Sequence, residues 1–553
     1  MSGKFYYAEI IGSGAAMFDY DNDGDLDVYL VQGGTIPGVE KGSGGVFARS
    51  PENPSRPLFA GRLFRNDLTV AADGTRTLKF TDVTETSRIV AGGYGMGAAT
   101  GDFDNDGCVD LYLTNLGPNQ LWRNNCDGTF TEIAKSAHVA QDSRVAPDLS
   151  PALQGQTSWS VSAAFIDVDR DGWLDLFVGN YLNWSVRTNT SCSGPSGRSD
   201  YCSPNVYSPQ PSRLYHNNRD GTFTDVTQAA GMANEFGPAL GVIGADVNND
   251  GWIDLYVAND GQPNQLWINQ RNGTFRNTGL LSGAAMNARG KAKAGMGVAA
   301  GDFDNDGDED LFVTNLRGEG NDLYVNDGNG LFEEQSERSG LGPGSLPFTG
   351  FGATWVDVDN DGWLDVLVVN GAVQTIEALR QANDPFPLHQ PKRLFRNLGN
   401  GRFEDATARG GAAMQLSDVR RGAAFGDLEN DGDIDVIVVN NNGPARLLVN
   451  DIGSRNHWIG VRLAGGERSR TAGNRRDMLG ARIGVVRADG VTLWRRARTD
   501  GSYASASDPR VVVGLGRASA PVTVRVTWPD GKTEEWKDVA VDKYVTLMQG
   551  SGR

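Results

Sequence analysis

Apolar residues along this chain alternate with polar ones in short runs of four to eight. Examples are L-D-V-Y-L-V, D-L-Y-L-T-N and D-V-L-V-V-N, bounded by Gly, Asp and Asn. Period-two alternation between turn residues predicts half-buried β-strands, and no run has the length or the 3.6-residue period of a long helix. The runs come in sets. A Gly-rich strand such as G-M-G-A-A-T-G-D or G-F-G-A-T-W-V-D leads into an acidic turn, and an alternating strand ending in Asn follows. A hairpin of the form L-[W/F/Y]-x-N…G-x-F-x-[D/E] completes the set, as at Leu121, Leu214 and Leu394. Sets of four strands recurring every 55 to 85 residues or so are blade-sized units, and seven of them predict an all-β, seven-bladed β-propeller over residues 1–450. Residues 451–553 read as a small second β domain, with runs such as H-W-I-G-V-R-L and P-V-T-V-R-V-T-W between Gly and Asp-Gly turns.

Each acidic turn follows D-x-[D/N/E]-x-D-G-x-x-D. Positions 1, 3, 5 and 9 are Asp19, Asp21, Asp23 and Asp27 in the first copy and Asp102, Asp104, Asp106 and Asp110 in the second. The third has Asp167, Asp169, Asp171 and Asp175, and the fourth Asp246, Asn248, Asp250 and Asp254. Asp302, Asp304, Asp306 and Asp310 form the fifth; Asp357, Asp359, Asp361 and Asp365 the sixth; Asp427, Glu429, Asp431 and Asp435 the seventh. Carboxylates on alternating residues of a tight turn can converge on one point, and Gly at position 6 lets the turn close. An all-oxygen anionic cage suits Ca²⁺ better than Zn²⁺, and better than Mg²⁺, which keeps its waters. An EF-hand would place its bidentate Glu at position 12 on a helix, whereas these turns run into strands. Up to seven Ca²⁺ sites are therefore expected, the fourth and seventh weakest because of Asn248 and Glu429.

Charge follows the same division. The chain carries −18, with 27 of its 69 carboxylates at those loop positions. Residues 451–553 hold 18 Lys and Arg against 11 Asp and Glu, so the preceding 450 residues carry −25. Acidity is thus read as metal-site chemistry, calling for no basic partner and arguing against nucleic acid. Cys192 and Cys202 bracket a Ser/Gly/Pro-rich loop and make a candidate disulfide; Cys108 and Cys126 make a second. Disulfides and extracellular-type calcium loops fit a secreted, periplasmic or cell-surface protein, although the first residues show no signal peptide. No membrane span is evident, and a monomer is expected.

Two features bear on closure and recognition. The seventh repeat lacks a G-x-F-x-D strand; either Phe5–Ile10 substitutes for it, or the closing strand lay in an N-terminal stretch missing from this chain. Because the acidic turns join first and second strands, the long insertions at 31–62, 135–157, 181–213 and 371–393 must emerge on the opposite face. Ligand recognition is expected there, with Trp184, Arg187, Tyr201 and Tyr207 as candidates against a plainer role in loop packing.

The repeats resemble the FG-GAP/VCBS family of integrin-α-type propellers. The last hundred residues resemble the ASPIC/UnbV domain through Leu479-Gly480-Ala481, G-S-Y-A-S-A-S-D from Gly501, Gly514-Leu515-Gly516 and Trp528-Pro529-Asp530-Gly531. Their order is similar to that of the cartilage acidic protein family. The resemblance implies extracellular calcium-binding proteins concerned with adhesion or matrix, and supplies no reaction. The primary reading is a calcium-stabilised interaction module. The alternative is a lyase-, hydratase- or cyclase-type enzyme at the central funnel, with His389, beside Arg380, the one histidine to test. No G-x-S-x-G, H-E-x-x-H or phosphate-binding loop supports it. A third reading, sugar binding on Trp494, Trp528 or Trp536, competes with those residues being core.

Overall fold

The computed structural model describes residues 3–39, 60–141, 157–465 and 475–553. Seven antiparallel sheets follow one another along the chain, six four-stranded and the seventh three-stranded. Their first strands are Ala15–Phe18, Tyr94–Gly101, Ser160–Ile166, Ala239–Ala245, Val298–Gly301, Gly350–Val356 and Arg420–Gly426. Each packs against the next, and the last against the first, so the seven sheets close a ring around a central channel. Apolar residues of the second and third strands fill the wedges between blades: Leu111, Leu113 and Trp122 with Phe18 and Tyr29, and Val366, Val368 and Phe395 with Phe303 and Phe312.

The strands after His457 form two further sheets. One holds Arg476–Asp477, His457–Gly465 and Val511–Gly516, with Tyr544–Met548 running parallel to His457–Gly465. The other orders Thr492–Arg496, Arg482–Val486, Val522–Thr527 and Thr533–Val539. Their facing apolar sides, including Ile459, Val461, Ile483, Val485, Val513, Val524 and Trp528, make one core.

This C-terminal unit is not a separate bead. The segment Thr499–Asp508 leaves it and threads the propeller channel, touching every blade. In blade one, Ala506 N donates to Ala15 O at 2.9 Å, and Met17 N donates to Ala506 O at 3.0 Å. Ala98 N in blade two donates to Ala504 O, while Ala504 N donates to Ser162 Oγ in blade three. Gly244 N of blade four donates to Asp500 Oδ2 at 2.6 Å, and Val298 of blade five exchanges two backbone hydrogen bonds with Ser502. Tyr503 packs edge-on against Phe351 of blade six at 4.9 Å, and Asp508 N donates to Phe425 O of blade seven. Inner strands of a propeller present N–H and C=O groups to the channel with no neighbouring strand to take them, and the inserted segment satisfies them. Its run of Ser and Ala keeps it thin enough to fit. A Cβ on Gly14 would overlap the Ala504 carbonyl oxygen, and one on Gly97 would crowd the Val161 carbonyl.

Tyr503 reaches through to the insertion face, where its hydroxyl donates to Ile11 O. An aromatic cluster closes that mouth: Tyr7, Trp159, Tyr181, Trp184 and Tyr201 are all buried around it. Tyr7–Ile10 is a single turn of 3-10 helix lying in this cap, so it does not supply the missing strand of blade seven, which has three strands among the described residues. Arg421 is fully buried beneath the cap, donating to the carbonyls of Ile10, Gly371, Arg420 and Ala372 with its guanidinium over the Phe351 ring. Cys108–Cys126 and Cys192–Cys202 are both disulfide-bonded. Parts of two insertions, 40–59 and 142–156, lie outside the described residues.

Gly14→Ala should destabilise the protein by about 2 kcal/mol or more, because the channel has no slack for a methyl group. Gly92→Ala, whose Cβ would meet open space, should stay within about 0.5 kcal/mol. Paired thermal melts check this, and equal effects would contradict the tight fit.

Candidate metal centres

The seven acidic turns share one hydrogen-bond plan. In six of them the position-1 carboxylate accepts from the N–H groups of positions 5 and 6, as Asp19 does from Asp23 and Gly24, whereas Asp302 of the fifth accepts from Gly307 N and leaves Oδ1 without a hydrogen-bond partner. Position 5 accepts from the N–H of position 7, seen from Asp23 with Asp25 through to Asp431 with Asp433. Position 9 is the buried keystone. Asp27 accepts from Tyr20 N within its own loop and from Asn66 N on the third strand, and the same pair of contacts recurs at Asp110, Asp175, Asp254, Asp310, Asp365 and Asp435. Position 4 takes positive φ in every copy, at Asn22, Asn105, Arg170, Asn249, Asn305, Asn360 and Asn430, which explains why six of the seven are Asn.

That Asn ties neighbouring turns together. Asn22 donates to Gly107 O, Asn105 to Gly172 O, Asn305 to Gly362 O and Asn360 to Gly432 O, while Asn249 reaches Asp308 and Asn430 reaches Asp25. In blade three the place is taken by Arg170, which lies over Trp252 and donates to Pro529 O. The turns therefore form a continuous collar.

In the first three turns the carboxylates converge. Oxygens of Asp19, Asp21 and Asp27, of Asp102, Asp104 and Asp110, and of Asp167, Asp169 and Asp171 lie within 4.8 Å of one another. Burial pushes Asp27 up to about 9, Asp102 to about 8 and Asp302 to about 7, with neighbouring carboxylates adding to the rise. Oδ1 of Asp21, Asp104, Asp302, Asp304 and Asp359 is buried with no hydrogen-bond partner. The turns are not equivalent. Arg219 holds Asp171 in the third, Arg271 holds Asp250 in the fourth, and Arg396 spans Asp359 and Asp361 in the sixth. His216 leans on Asp175 and Asp169 of the third turn at 3.1 and 3.4 Å; the Asp175 contact raises its pKa.

The basic C-terminal unit sits on this collar, so the acidic face does have a basic partner, supplied by the same chain. Arg476 donates to Asn105 Oδ1 and Gly172 O, Arg482 to Asn249 Oδ1 and Gly307 O, and Arg495 to Gly362 O. Arg510 donates to Asn430 Oδ1 and Asp427 O while pairing with Asp508, and Tyr544 donates to Asp427 Oδ2 at 2.8 Å. Glu309 is buried between Arg496 and Arg498; burial alone would raise its pKa, but the two guanidiniums hold it at about 2. Cavities remain at this interface, including one of about 220 Å³ lined by Asp19, Asp102, Arg462 and Arg476.

The recognition candidates fall elsewhere. Trp184 and Tyr201 are buried in the cap, Trp184 Nε1 donating to Asn189 and Tyr201 OH to Glu9, and Tyr207 packs on Tyr7. These three are loop packing; Arg187 alone of the four is exposed. His389 stacks on exposed Phe386 at 4.6 Å on the outer surface, away from the filled channel, and Arg380 pairs with Glu377. Trp528 is core, with Trp536 edge-on to it, and Trp494 faces the collar beneath Arg482.

A ring of sheets with acidic turns on one face defines an FG-GAP-type β-propeller. Residues 102–178, 196–257, 246–313 and 302–368 match the FG-GAP-like repeat, and residues 470–553 match the ASPIC and UnbV family. The chain belongs to the FG-GAP-repeat proteins that end in an ASPIC and UnbV domain, the cartilage acidic protein-like family. Cartilage acidic protein 1 of Mus musculus is 24% identical over 510 residues, covering 82% of this chain and 73% of the mouse protein. Its Xenopus tropicalis counterpart is 24% identical over 497 residues, 79% of this chain and 70% of that protein. Among solved structures, an Agrocybe aegerita lectin that recognises terminal N-acetylglucosamine aligns over 71% of this chain and 90% of its own, at 16% identity and TM-score 0.37. A Bacillus licheniformis rhamnogalacturonan lyase aligns over 97% and 90%, at 12% identity and TM-score 0.31. Scores this low carry no functional weight.

Arg510→Gln should cost about 3 kcal/mol or more, since it strands Asp508 buried and unpaired. Denaturant titration checks this; a loss under about 1 kcal/mol would show the contact to be dispensable.

Proposed function

We propose that this protein is an exported, calcium-stabilised interaction module, its cations built into the collar and its binding surface elsewhere. The observation that carries the calcium reading is the set of buried carboxylate oxygens left without any hydrogen-bond partner at loop positions 1 and 3. The backbone N–H groups of the turns are largely taken by the other carboxylate oxygens, so these oxygens are arranged for a ligand that accepts several anionic oxygens at once. Positions 1, 3, 5 and 9 would hold the ion, and it would supply charge neutralisation. The first, second and fifth turns fit best: no arginine is bonded to their position-3 or position-5 carboxylates, and no side chain is bonded to their position-1 carboxylate as Tyr544 is to Asp427 in the seventh. The fourth fits least, because Asn248 replaces a carboxylate and Arg271 occupies Asp250.

Export accords with the two disulfides and with the cartilage protein relatives. No described helix is long and apolar enough to cross a membrane. The funnel expected for an enzyme is filled by Tyr503 and the aromatic cap, leaving the outward parts of the insertions as surface for a partner.

Removing calcium with EGTA should lower the melting temperature, and titrated calcium should restore it. Each occupied site contributes about 2.7 kcal/mol at free Ca²⁺ near a hundredfold above its Kd. Asp104→Asn should weaken this response more than Asn248→Ala. Metal analysis showing no bound calcium, together with a melt indifferent to EGTA, would overturn the reading.

A further inference from the structure

The hairpins that join third and fourth strands keep one register in blades two to six. The closing backbone bond runs from Asn125 to Thr129, Asn218 to Thr222, Gln270 to Thr274, Asp327 to Leu331 and Leu398 to Arg402. Midway in each loop lies an acidic residue or its amide, followed by Gly. The pair is Asp127-Gly128 and Asp220-Gly221 in blades two and three, and Asn272-Gly273, Asn329-Gly330 and Asn400-Gly401 in blades four, five and six. We propose that Asn400 is a site of spontaneous covalent modification, converting through a succinimide to aspartate and isoaspartate faster than its two counterparts. The proposal depends neither on calcium nor on a partner.

The reaction needs only the loop itself and water. Gly401 N gives its proton to hydroxide and attacks Asn400 Cγ, forming a C–N bond that closes a cyclic imide. The bond from Cγ to Nδ2 breaks, and the nitrogen takes a proton from water and leaves as ammonia. Water then opens the ring at either carbonyl: the side-chain one leaves aspartate, the main-chain one isoaspartate. A glycine in second place has no Cβ to crowd the ring, and all three pairs meet that condition. All three asparagines are also exposed.

What separates them is how the side chain is held. To bring Cγ onto the next N–H, the amide must turn away from its present partners. Asn272 Oδ1 accepts from the N–H and the hydroxyl of Thr274 at 3.0 and 2.7 Å, so turning it breaks two hydrogen bonds. Asn329 Nδ2 donates to Asp327 O at 3.2 Å. Arg402 stands where Thr274 does and has no hydroxyl to offer. Among the described residues, the Asn400 side chain has no hydrogen-bond partner. One ordinary hydrogen bond is worth about fivefold in rate, which sets the expected gap. Asn442-Gly443 of blade seven lies in a different kind of turn, with Asn442 at φ 58°, and stands outside the comparison.

The two products differ in effect. Aspartate at 400 restores the residue type of blades two and three, where Asp127 and Asp220 accept from Thr129 and Thr222. Isoaspartate lengthens the main chain inside the loop that Leu398 N and Arg402 O close at 2.9 Å. That loop is tight, since a Cβ on Gly399 would meet the Trp363 ring at 2.9 Å. Trp363 N in turn donates to Asp361, so the modification acts on the support of the sixth acidic turn.

Peptide mapping by mass spectrometry of the full chain, aged at neutral pH, tests this, with enzymatic methylation to count isoaspartate. Conversion at Asn400 should run about fivefold faster than at Asn272 or Asn329. Arg402→Thr, which keeps the Asn-Gly pair and restores the blade-four hydroxyl, should slow it about fivefold, and Thr274→Val should speed Asn272 by a similar factor. Both positions are on surface loops, and unchanged melts would verify that the variants fold. Absence of conversion at Asn400 would overturn the proposal. So would a rate no faster than at Asn272, or one indifferent to Arg402→Thr.

Discussion

The structure depends on ten residues of the C-terminal unit lying inside the propeller. Seven inner strands leave backbone donors and acceptors facing a narrow channel, too tight for side chains and too polar to be left dry. Thr499–Asp508 answers both constraints, bringing its own N–H and C=O groups together with serine hydroxyls and little bulk. Tyr503 is the exception, and its ring closes the far end by packing on Phe351 and under the aromatic cap.

Charge reinforces the same arrangement. Seven acidic turns on one face would repel each other, and the chain meets them with its own arginines, alongside the metal proposed for the turns. Bound metal would neutralise the inside of each turn, while arginines of the C-terminal unit donate to the outward carbonyls and Asn side chains that the turn conformation presents. A turn that lost its shape would lose both partners. The collar of Asn contacts then transmits the requirement from blade to blade.

Much of this was legible beforehand. The period-two runs, the nine-residue turn and its Gly located the blades, the face and all the loop carboxylates. The strand order also placed the long insertions on the opposite face. What escaped was long-range. G-S-Y-A-S-A-S-D reads locally as a small-residue loop, and nothing in its own composition says that it fills a channel whose strands lie between 79 and 490 residues away in sequence. The split of charge between −25 and +7 was visible, yet metal chemistry explained it so well that the basic unit was not recognised as the acidic face's partner. Trp184 and Tyr201 were candidate contacts because a loop aromatic looks exposed, whereas the cap buries them. The Asn at position 4 carries a usable signal in its tolerance of positive φ, which marks the turn conformation in six of the seven copies.

Residues 1–450 alone provide the most direct test. Without the inserted segment the channel has unpaired backbone groups and the collar lacks its arginines. Calorimetry should therefore show no cooperative transition for this fragment, while the full chain melts as one unit. A fragment that unfolds cooperatively near the temperature of the full chain would contradict the account.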